Sequence, residues 1–171
     1  MDEKEKAKKI LKILNKLYPT TPIPLDHTSN FTLLMSVLLS AQCTDLNVNN
    51  VTKNIYSKYN KPEHFVKLGR KRIEKLIKSI GLFRVKAKSI YLMSKQLLEK
   101  HGGKVPKSFE DLEKLPGVGH KTASVVMSQG FGVPAFAVDT HIHRLAQRWG
   151  LTNGKNAVSY THLTLPTTPY V

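Results

Sequence analysis

Residues 30–42 form the segment that most limits how this chain can fold. Apolar residues lie on nearly every face of a helix drawn through them, with only scattered Thr and Ser side chains between. A helix that is apolar all round is stable only when it is buried. The run is also far shorter than the roughly 20 residues that cross a bilayer. The sequence therefore predicts a central helix inside a globular core and no membrane insertion.

Most of the remaining apolar residues recur at helical spacing. Stripes of this kind occur in residues 10–17, 48–55, 73–80, 87–98, 123–127 and 140–149. Thr44 and Ser108 are suited to begin helices as N-caps, and Pro62 is suited to the first helical position. Gly81 is suited to a left-handed helix end. Because no stretch alternates long enough to indicate a strand, we predict an all-α chain of about eight helices joined by short turns.

Residues 115–121, which read Leu-Pro-Gly-Val-Gly-His-Lys, indicate a tight turn that opens directly into a helix. Gly117 and Gly119 lack side chains, so a phosphate group can approach the backbone amides of the turn. The unpaired N–H groups and the dipole at the start of a helix attract such an anion. Lys121 stands at this helix start, and Asp139 follows further along the chain. Together they offer an amine nucleophile and a carboxylate.

The charge of the chain favours a polyanionic partner. There are 27 Lys and Arg residues against 12 Asp and Glu, which gives a formal net charge of +15. Surfaces of this kind bind nucleic acid through counterion release and electrostatic steering. Charge alone is equally compatible with a lysine-rich protein whose cations are simply solvated. The turn at residues 115–121 favours nucleic acid.

Cysteine and histidine usage argues against a disulfide or a metal site. Cys43 is the single cysteine, so no disulfide can form within the chain, and we interpret it as a small buried residue. This usage favours the reducing cytoplasm, and the charged first residues do not form a secretory signal. His141 and His143 are two apart on a predicted helix and point in different directions, so we do not expect a zinc site.

Four blocks of this sequence resemble the endonuclease III family. Residues 115–119 with Lys121 and Asp139 resemble its helix-hairpin-helix and catalytic pair. Residues 38–45 (LLSAQCTD), 80–82 (IGL) and 138–141 (VDTH) resemble the family in its order and at its spacings. The hairpin pattern alone occurs in many DNA-binding proteins, whereas four blocks in register are specific. The similarity covers residues 5–157.

The resemblance implies an all-α helix-hairpin-helix DNA glycosylase fold, with a six-helix barrel and a second helical domain. Residues 1–21 are then an N-terminal helix that packs with the second domain, residues 22–131 the barrel with the hairpin, and residues 132–158 the start of the second domain. Residues 159–171 contain no Lys, Arg, Asp or Glu and do not resemble the family, so we expect a disordered tail.

The family continues with further helices and four cysteines that hold a [4Fe–4S] cluster. This chain has one cysteine and a different tail. We therefore expect it to be truncated before the cluster ligands, to contain no cofactor, and to have an incomplete second domain.

The resemblance assigns Lys121 and Asp139 as the catalytic residues. It also assigns DNA contacts to Gln42, Leu82, Leu115, Gly117, Val118, Gly119, His120, Thr140 and His141. Gln42 and Leu82 correspond to side chains that enter the duplex when the damaged nucleotide is turned outward. His120 stands where an Arg is more usual.

Several of these residues have a simpler interpretation. Lys121 could be one more solvated or phosphate-binding lysine, and Asp139 could serve only as a helix N-cap. Leu82 follows a predicted helix-ending glycine and could pack back on its own helix. Sequence reasoning leaves the role of Leu82 open between packing and insertion into DNA.

The function implied by the resemblance is base-excision DNA repair. The chain would act as a bifunctional DNA N-glycosylase and abasic-site lyase on oxidised pyrimidines, as a monomer bound to damaged double-stranded DNA in the cytoplasm, at the nucleoid. Monofunctional relatives lack a lysine at the position of Lys121. The alternatives are a monofunctional glycosylase for another lesion, or a catalytically dead DNA-binding fragment that results from the truncation.

Overall fold

The computed structural model describes residues 3–151. These residues form nine α-helices and one π-helical segment and contain no strand, so the all-α prediction is confirmed. The helices are α1 (Glu3–Leu17), α2 (Asn30–Ser40), α3 (Asp45–Tyr56), α4 (Pro62–Leu68), α5 (Arg70–Leu76), α6 (Phe83–His101), α7 (Phe109–Glu113), α8 (His120–Val125) and α9 (Thr140–Arg148), and the π-helical residues Val126–Gly130 follow α8 directly.

Backbone contacts divide the chain into two units. The larger unit is Ile23–Phe136 and contains α2 to α8. The smaller unit combines Met1–Pro22 with Ala137–Val171, and its described residues, 3–22 and 137–151, contain α1 and α9. The domain boundaries given by the resemblance remain predictions, and the proposed tail at 159–171 lies outside the described residues.

Helix α2 is buried inside the larger unit, as its composition predicts. Nine of its 11 residues are buried, and Leu33, Leu34, Met35 and Leu39 are fully shielded from solvent. Helices α3, α6 and α8 and the π-helical segment all pack against it. Because burial of each such side chain stabilises the fold by about 1.5–3 kcal/mol, α2 is a major source of the stability of this unit.

The predicted helix starts are found where polar side chains accept backbone N–H groups. The Thr44 hydroxyl accepts the amide of Asn47 at 3.3 Å, and the Ser108 hydroxyl accepts that of Asp111 at 3.2 Å. Helix α4 begins at Pro62. No helix within residues 3–151 is long and apolar enough to cross a membrane.

The predicted left-handed helix end at Gly81 is wrong. Helix α5 already ends at Leu76, and the residue with left-handed backbone is Leu82, with φ 58° and ψ 31°. Ile77 and Ile80 are each 1% exposed although they lie beyond the helix. The apolar spacing therefore identified the buried residues correctly. It wrongly placed Ile77 and Ile80 in the helix, because the turn that follows α5 buries them as well.

Buried hydroxyl groups connect α2 to α3. The Tyr56 hydroxyl donates to the carbonyl oxygen of Thr32 at 3.0 Å and lies 2.7 Å from the Ser36 hydroxyl. The Ser36 hydroxyl in turn donates to the carbonyl oxygen of Asp26 at 3.0 Å. Burial raises the pKa of Tyr56 above its ordinary value, because the phenolate is disfavoured away from water. Tyr56 therefore stays neutral and able to donate.

Replacement of Tyr56 by Phe should destabilise the larger unit by about 1–2 kcal/mol, because two buried oxygen atoms lose a hydrogen-bond partner. Urea-induced unfolding followed by circular dichroism measures the change. The matched control is Tyr18→Phe, which removes a hydroxyl from a side chain that is 61% exposed and should change stability by less than about 0.5 kcal/mol. Equal effects of the two substitutions would contradict a structural role for the Tyr56 hydroxyl.

Candidate nucleic-acid interface

Helix α7, the turn at residues 114–119 and helix α8 form a helix-hairpin-helix. Leu112, Leu115 and Val118 turn their side chains into the core and are at most 6% exposed. The Val118 amide donates to the carbonyl oxygen of Leu115 at 3.1 Å and closes the turn. Of the DNA contacts predicted here, Leu115 and Val118 can therefore offer a ligand only their backbone.

The turn contains glycine at positions 117 and 119 for two different structural reasons. Gly117 has a φ of +81°, and a Cβ atom on it would lie 2.7 Å from the Cβ of Ser89 on α6. The same atom would lie 3.1 Å from the side chain of Leu38 on α2, so the turn rests directly on two core helices. Gly119 has extended backbone and nothing within 4 Å of its Cβ position. Gly117 thus serves the packing, and Gly119 leaves open space for a ligand.

Helix α8 begins at this open side of the turn. His120 and Lys121 are its first two residues, and both are exposed. The first amides of a helix have no acceptor within the helix, and the helix dipole adds a partial positive charge there. A phosphate group that approaches Gly119 therefore meets amide donors, and Lys121 stands beside it.

His120 contacts helix α7 although its side chain is exposed. Its Nδ1 lies 2.6 Å from Oε1 of Glu113, and its ring stacks on Phe109 with ring centroids 5.5 Å apart. An arginine, the residue that the resemblance leads one to expect at this position, has a longer side chain and a permanent charge. His120 is therefore a shorter-range contact whose charge depends on protonation.

Gln42 and Leu82 lie in two loops of the larger unit that touch each other. The carbonyl oxygen of Gln42 is 3.4 Å from the Cβ position of Gly81, the residue before Leu82. Among residues 3–151, Gln42 and Leu82 are the non-glycine residues with positive φ, at 55° and 58°. Such backbone costs about 1–3 kcal/mol and is found preferentially at functional sites.

The Leu82 side chain does not pack into the core. It is 56% exposed, and Gln42 is exposed as well. This exposure argues against the alternative in which Leu82 only covers its own helix. Both side chains are available to a ligand at the surface of the larger unit, as their predicted role in the duplex requires.

Asp139 begins helix α9 in the smaller unit. Its Oδ1 accepts the amides of His141 and Ile142 at 3.0 and 2.8 Å, so the N-cap role considered from the sequence is confirmed. Thr140 and His141 are exposed in the first turn of the helix. Within residues 3–151 no three His, Cys, Asp or Glu side chains are grouped so that they could hold a metal ion.

Sequence reasoning missed Lys86, which is 5% exposed and lies on the inward face of α6. The signal was available in its spacing, because Lys86 shares a helical stripe with Ile90, Met93 and Leu97, all of which are fully buried. A lysine in such a stripe needs buried hydrogen-bond acceptors.

Comparison with known proteins identifies the class. The family model for the HhH-GPD superfamily base excision DNA repair protein matches residues 35–166. The chain belongs to this superfamily, which acts in base excision DNA repair.

Similar proteins within that superfamily include endonuclease III proteins, so the resemblance is confirmed. Endonuclease III of Bacillus subtilis (strain 168) is 46% identical over 152 residues, which are 89% of this chain and 69% of the relative. Endonuclease III of Escherichia coli (strain K12) is 46% identical over 154 residues, which are 88% and 72% of the two chains.

Solved structures match the fold as well. A trapped covalent intermediate of endonuclease III with DNA has a TM-score of 0.88 at 43% identity and covers 93% of this chain and 75% of its own. A thermostable thymine-DNA glycosylase has a TM-score of 0.77 at 28% identity and covers 83% and 67%. The predicted helix-hairpin-helix DNA glycosylase fold is confirmed.

Substitution of the two hairpin glycines by alanine should separate folding from binding. Gly117→Ala should lower stability by about 1–3 kcal/mol, because the methyl group meets Ser89 and the backbone is left-handed. Gly119→Ala should cost about 0.5–1 kcal/mol of stability, because alanine is a poor N-cap, but should weaken duplex binding roughly tenfold, because the methyl group occupies the phosphate approach. Urea unfolding and fluorescence anisotropy with a labelled duplex measure the two effects. Unchanged duplex binding by Gly119→Ala would exclude this phosphate site.

Proposed function

We propose that this chain excises oxidised pyrimidines from duplex DNA as a bifunctional DNA N-glycosylase and abasic-site lyase. The observation that carries the proposal is the position of Lys121, the second residue of a helix that begins at an open, phosphate-accepting turn. The similar solved structure of a trapped endonuclease III–DNA covalent intermediate supports it, because covalent bonding to DNA requires such a nucleophile.

The reaction begins when the neutral Lys121 amine attacks C1′ of the damaged nucleotide. The N-glycosidic bond breaks, the base leaves with the electron pair of that bond and takes up a proton, and the amine keeps the sugar as a Schiff base after ring opening. Loss of a proton from C2′ then expels the 3′ phosphate by β-elimination. Hydrolysis of the remaining Schiff base returns the free lysine.

Asp139 has an electrostatic role in this proposal. Positive charge develops at C1′ as the base departs, and a carboxylate stabilises charge of this kind. The hydrogen bonds that Oδ1 accepts from the first turn of α9 hold the side chain in a fixed direction. Thr140 and His141, exposed in the same turn, are the proposed contacts of this helix with the DNA strand.

The remaining contacts with DNA come from the hairpin and from the loops of Gln42 and Leu82, called the two strained loops because these residues have positive φ. The backbone at residues 115–120 binds a phosphate group of the damaged strand. Gln42 and Leu82 enter the duplex, where an amide can pair with the orphaned base and an apolar side chain can separate stacked bases. The net charge of +15 adds a sequence-independent attraction to the duplex.

The proposed chemistry uses side chains of this chain alone. Cys43 is the one cysteine and packs partly buried against the core, so this chain does not provide four thiolates for a [4Fe–4S] cluster. We propose a monomer that works without a cofactor on damaged double-stranded DNA, in the cytoplasm at the nucleoid.

Borohydride reduction should trap a covalent complex between the wild-type chain and a duplex with an oxidised pyrimidine, and Lys121→Ala should abolish it, because no Schiff base can form. Denaturing gel electrophoresis detects the complex. Lys100→Ala, which removes an exposed lysine from the last turn of α6, is the control and should keep it. Release of the base with an intact abasic strand would favour a monofunctional glycosylase, and salt-sensitive binding without turnover would favour a DNA-binding fragment.

The substitution Asp139→Asn should lower the single-turnover excision rate at least roughly a hundredfold, because the amide caps α9 but carries no charge. The thermal unfolding midpoint should stay close to that of the wild type. Asp139→Ser, another residue that caps well, is the matched control for the cap and should be equally slow. A wild-type rate for either variant would reduce Asp139 to its structural role.

A further inference from the structure

The buried ammonium group of Lys86 binds the C-terminal end of helix α2. Its Nζ donates to the carbonyl oxygens of Leu39 at 2.9 Å and Ala41 at 2.5 Å, which belong to the last turn and the C-cap of α2. None of the ion pairs within residues 3–151 involves Lys86. Burial lowers the pKa of Lys86, and Cys43 partly opposes this effect. A buried ammonium without a carboxylate is costly, so its position calls for a reason.

Lys86 lies close in the structure or in the chain to both residues that are proposed to enter the duplex, Gln42 and Leu82. Ala41, one acceptor of the ammonium, directly precedes Gln42 in the chain. The backbone amide of Lys86 donates to the carbonyl oxygen of Leu82 at 3.0 Å. The side chain of Lys86 therefore holds the residue before Gln42, whereas its backbone bond to Leu82 is the ordinary main-chain bond of the first turn of α6.

A second side chain connects the same two loops. Asn47, in the first turn of α3, donates through Nδ2 to the carbonyl oxygen of Ser79 at 3.1 Å. Ser79 lies three residues before Leu82, in the turn that follows α5. The loop of Gln42 runs directly into α3, so this bond ties the two loops together. It holds the chain before Leu82, whereas Lys86 lies after Leu82 in the chain.

We propose that Lys86, together with Asn47, is a positioning residue that holds Gln42 and Leu82 in the backbone geometry needed to enter and distort the duplex. This inference rests on the proposed role of Gln42 and Leu82 in DNA. Left-handed backbone in a Gln and a Leu persists only where the surroundings enforce it. Without the ammonium group, the last carbonyl groups of α2 lose their donors and Gln42 returns to an ordinary negative φ.

The expected consequence is a selective loss of duplex distortion. Phosphate contacts at the hairpin do not depend on Lys86, so binding should be largely kept. Side chains that must be ordered at the moment of insertion contribute less binding energy than side chains that are already in place. Fewer bound duplexes should therefore have an unstacked base.

The test is the fluorescence of 2-aminopurine placed opposite a tetrahydrofuran abasic analogue, which cannot react, in a duplex bound by the 171-residue chain. The wild type should raise the fluorescence on binding. Lys86→Met should bind within about threefold of the wild-type affinity but produce less than about half of that rise. Lys100→Met removes the same charge from the exposed end of the same helix and should behave as the wild type.

A double-mutant comparison separates positioning from a general structural role. In a Gln42→Ala, Leu82→Ala background the residual fluorescence rise should not fall further when Lys86→Met is added, because nothing remains to be positioned. An equal further fall in that background would overturn the inference, and so would a wild-type rise for Lys86→Met alone.

Asn47→Ala provides an independent variant should circular dichroism show that Lys86→Met is unfolded. It leaves the buried ammonium in place and should produce a smaller loss of fluorescence in the same direction, with unchanged affinity. An unchanged fluorescence rise for Asn47→Ala in that case would overturn the inference.

Excision from a duplex with an oxidised pyrimidine, measured in parallel, distinguishes the two proposals. A wild-type chain that distorts the duplex in a Lys86-dependent way but releases no base would refute the glycosylase and keep the positioning role. A wild-type chain that releases the base, with Lys86→Met equal to it in fluorescence and rate, would refute the positioning role alone. Binding of the wild type without any fluorescence rise would also overturn it.

Discussion

The burial of helix α2 is the constraint on which the larger unit depends. Its side chains are apolar on nearly every face, so four other elements must surround it. Two of those elements begin at candidate DNA contacts of this unit, because Leu82 is the N-cap of α6 and Gly119 is the N-cap of α8. The turn at Gly117 packs against Leu38 of α2, Lys86 of α6 binds its last carbonyl groups, and Gln42 follows its end. A helix that must be buried thus becomes the common support of the hairpin and of the two strained loops.

The two proposed catalytic residues share a local arrangement, although they belong to different units. Lys121 is the second residue of α8, and Asp139 is the N-cap of α9. The start of a helix combines amide donors with a partial positive charge, which suits the phosphates of a DNA strand. Asp139 satisfies the donors of its helix with its own carboxylate, whereas Gly119 begins α8 without a side-chain cap. The cap of α9 therefore fixes the direction of a carboxylate, whereas the start of α8 offers its backbone amides to a ligand.

Prediction from the sequence was most reliable where a local rule acts alone. Thr44 and Ser108 cap helices because a hydroxyl group before an amphipathic segment accepts a nearby amide, and this needs no tertiary contact. Gly81 shows the limit of such rules. Its freedom of φ suggested a left-handed helix end, but Gly81 is not among the glycines with positive φ, and the left-handed residue is Leu82. The helical spacing of Lys86 indicated that it is buried, but its acceptors lie more than 40 residues away in the chain, so the sequence did not show what it binds.

Sequence by itself determined the all-α class, the burial of α2, the positions of the hairpin and of Lys121 and Asp139, and the family. These follow from composition, from helical periodicity and from motifs whose residues are neighbours in the chain. Only the tertiary structure decided that Gly117 is required by Ser89, that the loops of Gln42 and Leu82 touch, and that a buried lysine supports them. The physical reason is that each of these depends on the distance between atoms brought together by packing, which no local pattern of residues specifies.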